Sequence, residues 1–411
     1  MTEAQNTNAE SPFAGLKVLT VATVFAAPFA AYQLGLHGAE VVSVEDTAGG
    51  DRTRTDGAEN ARHLTSQKMG PAYLAHAANK RSVTLNLRDP RGQAIFRELA
   101  RDADVLIENM RTGGMAKYGL AWDDLKAINP RLIYCSLTGF GQTGPKARDG
   151  AIDVVVQALS GMMSFTGTPE SGPLKAGTTV VDYLSGFATA LAVVTALYHR
   201  TSTGRGQFID VSMLETALLG MSYIVSNVQN AGFKPKLMGN RTSTNVPVNN
   251  SIRCSDVPVM VAAASDNLRR KFLIAIGRDD LLTDPRFATH AAMLQHVDEM
   301  YAEIEAVTMT RTAAEWEDLL NKAGVPCARV YQIAEAVDSP QIRHRGLYQE
   351  IGGIPGIDGK LKLPLASYRF SEAKASLRTP PARLGEHTAE VLAELGYDQT
   401  RIEALRADGV I

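Results

Sequence analysis

The first largely apolar segment of the chain, residues 16–21, is short and rich in β-branched and aliphatic residues, the pattern of a buried strand. Pro28 can open a helix, and residues 28–36 predict one; residues 40–44 predict a second strand. This β-loop-α-β unit is followed by strand patterns at 83–87, 105–107 and 132–136. Ahead of the second of these, Asp89 stands where an N-cap would, Pro90 takes the first helical position, and Ile95, Phe96 and Leu99 form one apolar face. Strands alternating with helices imply an α/β fold with a mostly parallel sheet covered on both faces.

After a glycine-rich stretch at 139–145 the pattern gives a helix from about Asp153, a turn at 167–169, and a long apolar helix from 180–182 to Arg200. A turn at 203–206 leads to a strand on which Ile209, Val211 and Met213 share a face, and then to another helix. Near Asn230 the character changes. Residues 232–250 are polar, basic and loop-like, and beyond them lie a strand pattern at 257–264 and helical patterns at 267–276 and 313–323. This divides the chain into a disordered tail (1–12), a large domain (13–231) and a small α+β domain (232–331). The remaining segment, 332–411, contains an amphipathic helix at 387–395 that needs a surface to dock on.

Composition agrees with two globular domains. A chain of 411 residues exceeds what one core spans, and 45% hydrophobic with 21% charged residues is the ordinary globular balance. Forty-two basic against 44 acidic residues leave a formal charge of −2 and no basic run, so no nucleic acid is expected as a partner. Cys135, Cys254 and Cys327 are far apart and form no C-x-x-C, which supports neither disulfides nor zinc and suits a reducing compartment. The histidines show no ligand spacing, so no metal site is expected. Residues 18–36 are uncharged and imitate a membrane span. Glu3 and Glu10 before them, Pro28 within them and a strand pattern after them argue for a cytoplasmic chain without a membrane partner.

The strand-loop-helix-strand start, ending in Glu45, has the shape of a dinucleotide-binding unit, but residues 22–28 contain no glycine to let a pyrophosphate approach the backbone. Neither a P-loop nor a G-x-S-x-G elbow occurs. Asp182 remains, between the β-branched residues 178–181 and a helix of small residues. It reads either as an N-cap or as a carboxylate kept ionised by the helix N-terminus and positioned as a nucleophile; spacing alone favours the cap.

The motifs Gly15-Leu-Lys-Val-Leu19, Ala27-Pro28, Gly38-Ala-Glu-Val-Val-Ser-Val-Glu45, Gly50-Asp-Arg-Thr-Arg54, Asn79-Lys-Arg-Ser82 and Ala103-Asp-Val-Leu-Ile-Glu-Asn109 run in order along the chain. Leu137-Thr-Gly-Phe-Gly141, Thr203-Gly-Arg-Gly-Gln207, Gly324-Val-Pro326 and Leu384-Gly-Glu-His-Thr388 continue the series. Together they resemble a family III CoA-transferase of the CaiB/BaiF group, which includes formyl-CoA:oxalate CoA-transferase, carnitine CoA-transferase and the 2-methylacyl-CoA racemases. The resemblance covers nearly the whole chain from about Gly15. It implies a Rossmann-like, CoA-binding and catalytic large domain completed by the C-terminal segment, and an intertwined, ring-like homodimer. It implies no tightly bound cofactor, with coenzyme A and acyl-CoA as substrates beside a small organic acid.

The resemblance makes Asp182 the nucleophile, passing through an aspartyl-acyl anhydride and an aspartyl-CoA thioester. The family's CoA contacts fall on Thr23, Val24, Phe25, Ala26, Leu85, Arg88, Asn109, Met110, Lys117, Tyr118 and Met213. Two features depart from the formyl-CoA enzymes. Phe25 stands where they have a glutamine, which argues for a larger, partly apolar acyl group, and residues 239–245 offer no counterpart of their glycine-rich flap. A short dicarboxylate is expected as one partner, with Arg52, Arg54 and Arg148 as candidate clamps. The rival readings are a 2-methylacyl-CoA racemase and a non-catalytic CoA-binding protein. Against the racemase, Ile152 precedes Asp153 where racemases place a histidine, and isoleucine accepts no proton.

Overall fold

The structure, a computed structural model, describes residues 11–241, 248–354 and 357–411. Most of the tail expected at 1–12, and the part of 239–245 from residue 242 onward, lie outside the described residues. The chain forms two compact units. One contains the described residues up to 162 with 176–225 and 345–411; the other contains 163–175 and the described part of 226–344.

In the first unit six strands run parallel: β1 (Lys17–Val21), β2 (Glu40–Glu45), β3 (Lys80–Thr84), β4 (Val105–Glu108), β5 (Ile133–Thr138) and β6 (Gln207–Ser212), in the order β3-β2-β1-β4-β5-β6. The order reverses between β1 and β4. Alternation along each strand splits the core in two. Val18, Val105, Ile107, Ile133 and Cys135 face one side, where they meet α1 (Ala26–Leu36), α3 (Asp153–Leu159), α4 (Val180–Thr203) and α5 (Met213–Gly220). Leu19, Val44, Leu106 and Tyr134 face the other, where α2 (Pro90–Asp102) packs. There the Asp89 side chain accepts the Arg91 N–H at 2.8 Å, Pro90 leads the helix, and Ile95, Phe96 and Ala100 are buried.

The C-terminal helices Thr388–Glu394 and Gln399–Ala407 belong to this second layer. Val391, Leu392, Ile402, Leu405 and Val410 join the α2 core, and the Asn86 N–H donates to the Val410 carbonyl at 2.8 Å. The chain end thus supplies apolar surface that the first half lacks.

Two elements differ from the sequence pattern. β3 occupies Lys80–Thr84, not 83–87: it ends where its neighbour β2 ends, Thr84 pairing Glu45, and Leu85 already leads into the turn. Its first residues are polar because they face a polar interior, where the Ser82 hydroxyl donates to Glu45 at 2.6 Å and Lys80 Nζ to the Pro28 carbonyl at 2.7 Å. Met213 lies on no strand. β6 stops at Ser212, whose hydroxyl caps α5 by accepting the Glu215 N–H, so Met213 is the first residue of α5.

Residues 18–36 divide among β1, a loop and α1. The one helix of the described chain that is long and apolar enough to cross a bilayer, by length and composition, is α4. Its face toward the protein holds Asp182, Ser185, Gly186, Thr189 and Arg200, and Arg200 donates to Asp104 Oδ1 at 2.8 Å.

The second unit has a three-stranded antiparallel sheet of Asn249–Ile252, Val259–Ala262 and Cys327–Arg329, with the middle strand paired to both others. Val259 and Val261 point into a core with Phe272, Ile304, Trp316 and Leu320 from the helices Asp266–Ala275, Val297–Thr308 and Ala313–Lys322.

Candidate active site

Asp182 sits in the first turn of α4, two residues past its first residue Val180, so it is not the N-cap; Thr179 holds that position and makes no side-chain cap. The cap comes from another helix. Asp153, at the start of α3, accepts the N–H of Val181 at 2.7 Å and that of Asp182 at 3.1 Å through one oxygen, while its other oxygen accepts from Gln157. Gln157 in turn accepts the Ala176 N–H at 2.8 Å, which fixes the approach to α4. With those N–H groups taken, the Asp182 carboxylate has no hydrogen-bond donor among the described residues. Burial, with the charge of Asp153 beside it, pushes its pKa up to about 7. That reverses the expectation of a carboxylate held ionised by the helix start.

α4 lies against α1, running in the same direction. A Cβ on Gly186 would come within 2.7 Å of the Ala26 carbonyl and of Phe29, so only glycine permits this approach. Farther along, Phe187 meets Phe29 at 4.9 Å, and Ala190 and Val194 line a groove with Gln33 and His37. Asp182, one turn before Gly186 on the same face, therefore stands just ahead of the start of α1.

The loop into α1 is strained and clamped. Val24 has φ +72°, costly for a β-branched residue by about 1–3 kcal/mol. Its N–H donates to both oxygens of Asp51, at 3.2 and 3.1 Å. On the other side Asn109 accepts the Thr23 N–H at 2.9 Å and donates to the Thr23 carbonyl at 2.8 Å. These four bonds over-determine the loop and hold the strain in place.

A cleft of about 340 Å³ opens at the carboxyl ends of β1, β2 and β4, astride the point where the strand order reverses, the place where open α/β sheets bind ligands. Of the residues nominated from sequence, it gathers Thr23, Leu85, Arg88, Asn109, Met110 and Tyr118. Leu85 is its buried floor. Arg88, at the rim, pairs with Asp46 at 3.1 Å. Lys117 is exposed beside Tyr118 without lining the cleft. Val24 turns toward a small polar interior, Phe25 packs with Tyr183 and His76, and Ala26 is buried as the first residue of α1. Met213 is core, packed among the α5 and β6 side chains.

The three candidate clamps are scattered. Arg54 is a correction: it is 0% exposed and donates Nε and Nη2 to the two oxygens of Glu45, both at 2.7 Å, with Tyr73 3.8 Å beneath its plane. A guanidinium so committed is part of the interior and cannot meet a substrate. Arg52 is exposed near Asp56, and Arg148 is exposed in the loop after β5. The sequence also passed over residues the fold recruits. Arg111 lines the cleft, and Asp51, Asp153 and His76 are buried, although no local signal marks a polar residue for burial.

A parallel sheet with a cleft at its switch point, a pinned loop, and a buried carboxylate in the first turn of α4 make up the candidate site. The comparisons place the chain accordingly: residues 13–388 match the family model for CoA-transferase family III, and the chain belongs to that family. It is 35% identical over 400 residues to the succinate–glutarate CoA-transferase of Agrobacterium fabrum, covering 94% of this chain and 96% of that one. It is 36% identical over 355 residues to the acetyl-CoA:oxalate CoA-transferase of Acetobacter aceti, covering 86% and 90%. Among solved structures, a CaiB/BaiF family protein from Brucella suis superposes with a TM-score of 0.83 at 33% identity, covering 94% of this chain and 99% of that one.

Proposed function

We propose that this protein moves coenzyme A from an acyl-CoA donor to a short dicarboxylic acid, with Asp182 as the covalent relay. The observation that carries the reading is the Asp182 carboxylate: buried, without a hydrogen-bond donor, and placed ahead of the α1 start beside the loop that forms one wall of the cleft. A carboxylate attacks a thioester better when no donor ties up its lone pairs. Attack forms the Asp182–acyl bond and breaks the carbon–sulfur bond, so CoA leaves as thiolate. The thiolate then attacks the anhydride at the aspartyl carbonyl and releases the first acid, leaving an aspartyl-CoA thioester. The second acid attacks this thioester at its carbonyl, and the resulting anhydride returns its acyl group to the thiolate, so acyl-CoA leaves and Asp182 is regenerated. Each step trades one activated acyl bond for another, and burial of Asp182 disfavours loss to water.

The substrates named for the relatives from Agrobacterium and Acetobacter, succinate, glutarate and oxalate, support a dicarboxylate. A homodimer is part of the proposal. α4 keeps Leu191 and Tyr198 68% and 80% exposed, and Leu219 and Tyr223 beyond it are also exposed; large apolar side chains left exposed in this way support an interface. The three free cysteines favour the cytoplasm.

The test is to incubate the enzyme with succinyl-CoA alone, trap with hydroxylamine or borohydride, and sequence the modified peptide. Modification at Asp182 and loss of transfer in Asp182→Ala are expected. Full activity of Asp182→Ala would end the reading, and light scattering that shows a monomer would end the dimer.

A further inference from the structure

The loop that walls the cleft is held from behind by a buried carboxylate. Ala22 and Thr23 line the cleft, whereas Val24 lines a second cavity of about 20 Å³, together with Pro28 and Lys80; Asp51 borders both. Both Asp51 oxygens accept the Val24 N–H, and Oδ1 also accepts the Thr53 N–H at 2.9 Å and the Thr53 hydroxyl at 2.8 Å. Lys80 Nζ donates to the Pro28 carbonyl at 2.7 Å, so the far end of the segment is fixed as well.

Asp51 is itself anchored. Its N–H donates to Glu45 Oε2 at 3.0 Å, and Arg54 donates to both oxygens of the same carboxylate. A line of bonds therefore runs from the interior ion pair through Asp51 to Val24 and ends on the cleft wall. At that end the backbone has φ +72°, a conformation that a β-branched residue avoids. Released, Val24 would return to negative φ, and Thr23, directly before it, would turn with it. Strain kept in place by a partner that is itself fixed marks a backbone whose geometry serves the neighbouring site.

Asn109 grips the loop from the opposite side, but its two bonds go to the Thr23 N–H and carbonyl and leave the Val24 torsion to Asp51. We propose that Asp51 is a positioning residue for the coenzyme A cleft: it keeps Val24 in the left-handed conformation, and through Val24 it sets the affinity for the coenzyme A moiety. It acts on the loop and not on the ligand, since its oxygens are taken by Val24 and Thr53. The inference rests on the reading of the cleft as the coenzyme A site and adds the residue that shapes it.

The experiment measures the dissociation constant of coenzyme A by titration calorimetry in the wild type, Asp51→Asn, Val24→Gly and the double variant, with melting curves alongside. Asparagine offers one acceptor where aspartate offers two, so the anchor on Val24 weakens. Strain stored at one residue shifts an equilibrium by about fivefold or more, and Asp51→Asn should weaken binding by at least that factor. Glycine adopts φ +72° without penalty, so in the Val24→Gly background the same substitution should weaken binding by less than about twofold. A loss at Asp51 unrelated to Val24 would carry over unchanged between the two backgrounds. Equal effects in both, or unaltered binding in Asp51→Asn, overturn the inference while the transferase reading stands. Should Asp51→Asn not fold, folding of the double variant supports the inference and its failure to fold overturns it. A wild type that binds no coenzyme A sinks the transferase reading and the inference with it.

Discussion

Asp153 caps the helix that carries Asp182. One oxygen of Asp153 takes the N–H groups of Val181 and Asp182, so the helix start is satisfied by a neighbour's carboxylate and the Asp182 carboxylate is left free. The two acids at one location differ in state: Asp153 is hydrogen-bonded and held, whereas Asp182 is unpaired and desolvated, as the proposed nucleophile requires.

The division makes the pH dependence of transfer readable. Asp182 must be ionised to attack, and its pKa is pushed up to about 7, first by burial and then by Asp153. Activity should rise through an acid limb near pH 7. In Asp153→Asn the amide oxygen still accepts from the helix N–H groups while the negative charge is gone, so the limb should move to lower pH with kcat on the plateau preserved within a few-fold. An unshifted limb would separate the two residues electrostatically.

Stability should show the same group with the opposite sense to a salt-bridged aspartate. The carboxyl ionises near 3.8 when exposed and near 7 when folded, so the folded state holds the extra proton between those values and loses stability as pH rises through them. Asp182→Asn, which cannot ionise, should therefore match the wild type in melting temperature at pH 3.5. At pH 8 it should be the more stable of the two, by an order of about 1–3 kcal/mol. Thermal melts at the two pH values give the comparison directly.

No α-proton exchange is expected. Epimerisation needs a base on each face of the α-carbon, but Ile152 has no base and both Asp153 oxygens are engaged by N–H donors from Val181, Asp182 and Gln157. Incubation with 2-methylacyl-CoA in heavy water should leave the substrate unlabelled by mass spectrometry; deuterium at the α-carbon with inversion would contradict this.

Arg54 and Arg52, two residues apart in sequence, should behave as different kinds of arginine. Removing the Arg54 side chain strands the buried Glu45 carboxylate, which costs roughly 3–5 kcal/mol. Arg52 is exposed, and Arg52→Ala should stay within about 0.5 kcal/mol of the wild type. Denaturant titration of both variants decides it, and an Arg54→Ala protein as stable as the wild type would show that the ion pair with Glu45 contributes nothing.

Read without a structure, the chain determined what depends on neighbours in sequence. Alternating strand and helix patterns require a layered α/β unit, and the Asp89–Pro90 start of α2 is local cap chemistry that needs nothing distant. Motifs in one order along the chain suffice for the family and, through it, for Asp182 as the residue to watch. What the tertiary structure decided are partnerships across the chain. Asp153 reaches α4 from 28 and 29 residues away, and Arg54 bonds the Ala382 carbonyl 328 residues on. A polar side chain enters the interior only if its partners are already there, and hydrophobic periodicity says nothing about those partners. For the same reason Lys80 and Ser82 hide the beginning of β3, Arg54 resembles any surface arginine until Glu45 and Tyr73 close around it, and His76 is silent until the fold sets its ring against Phe25.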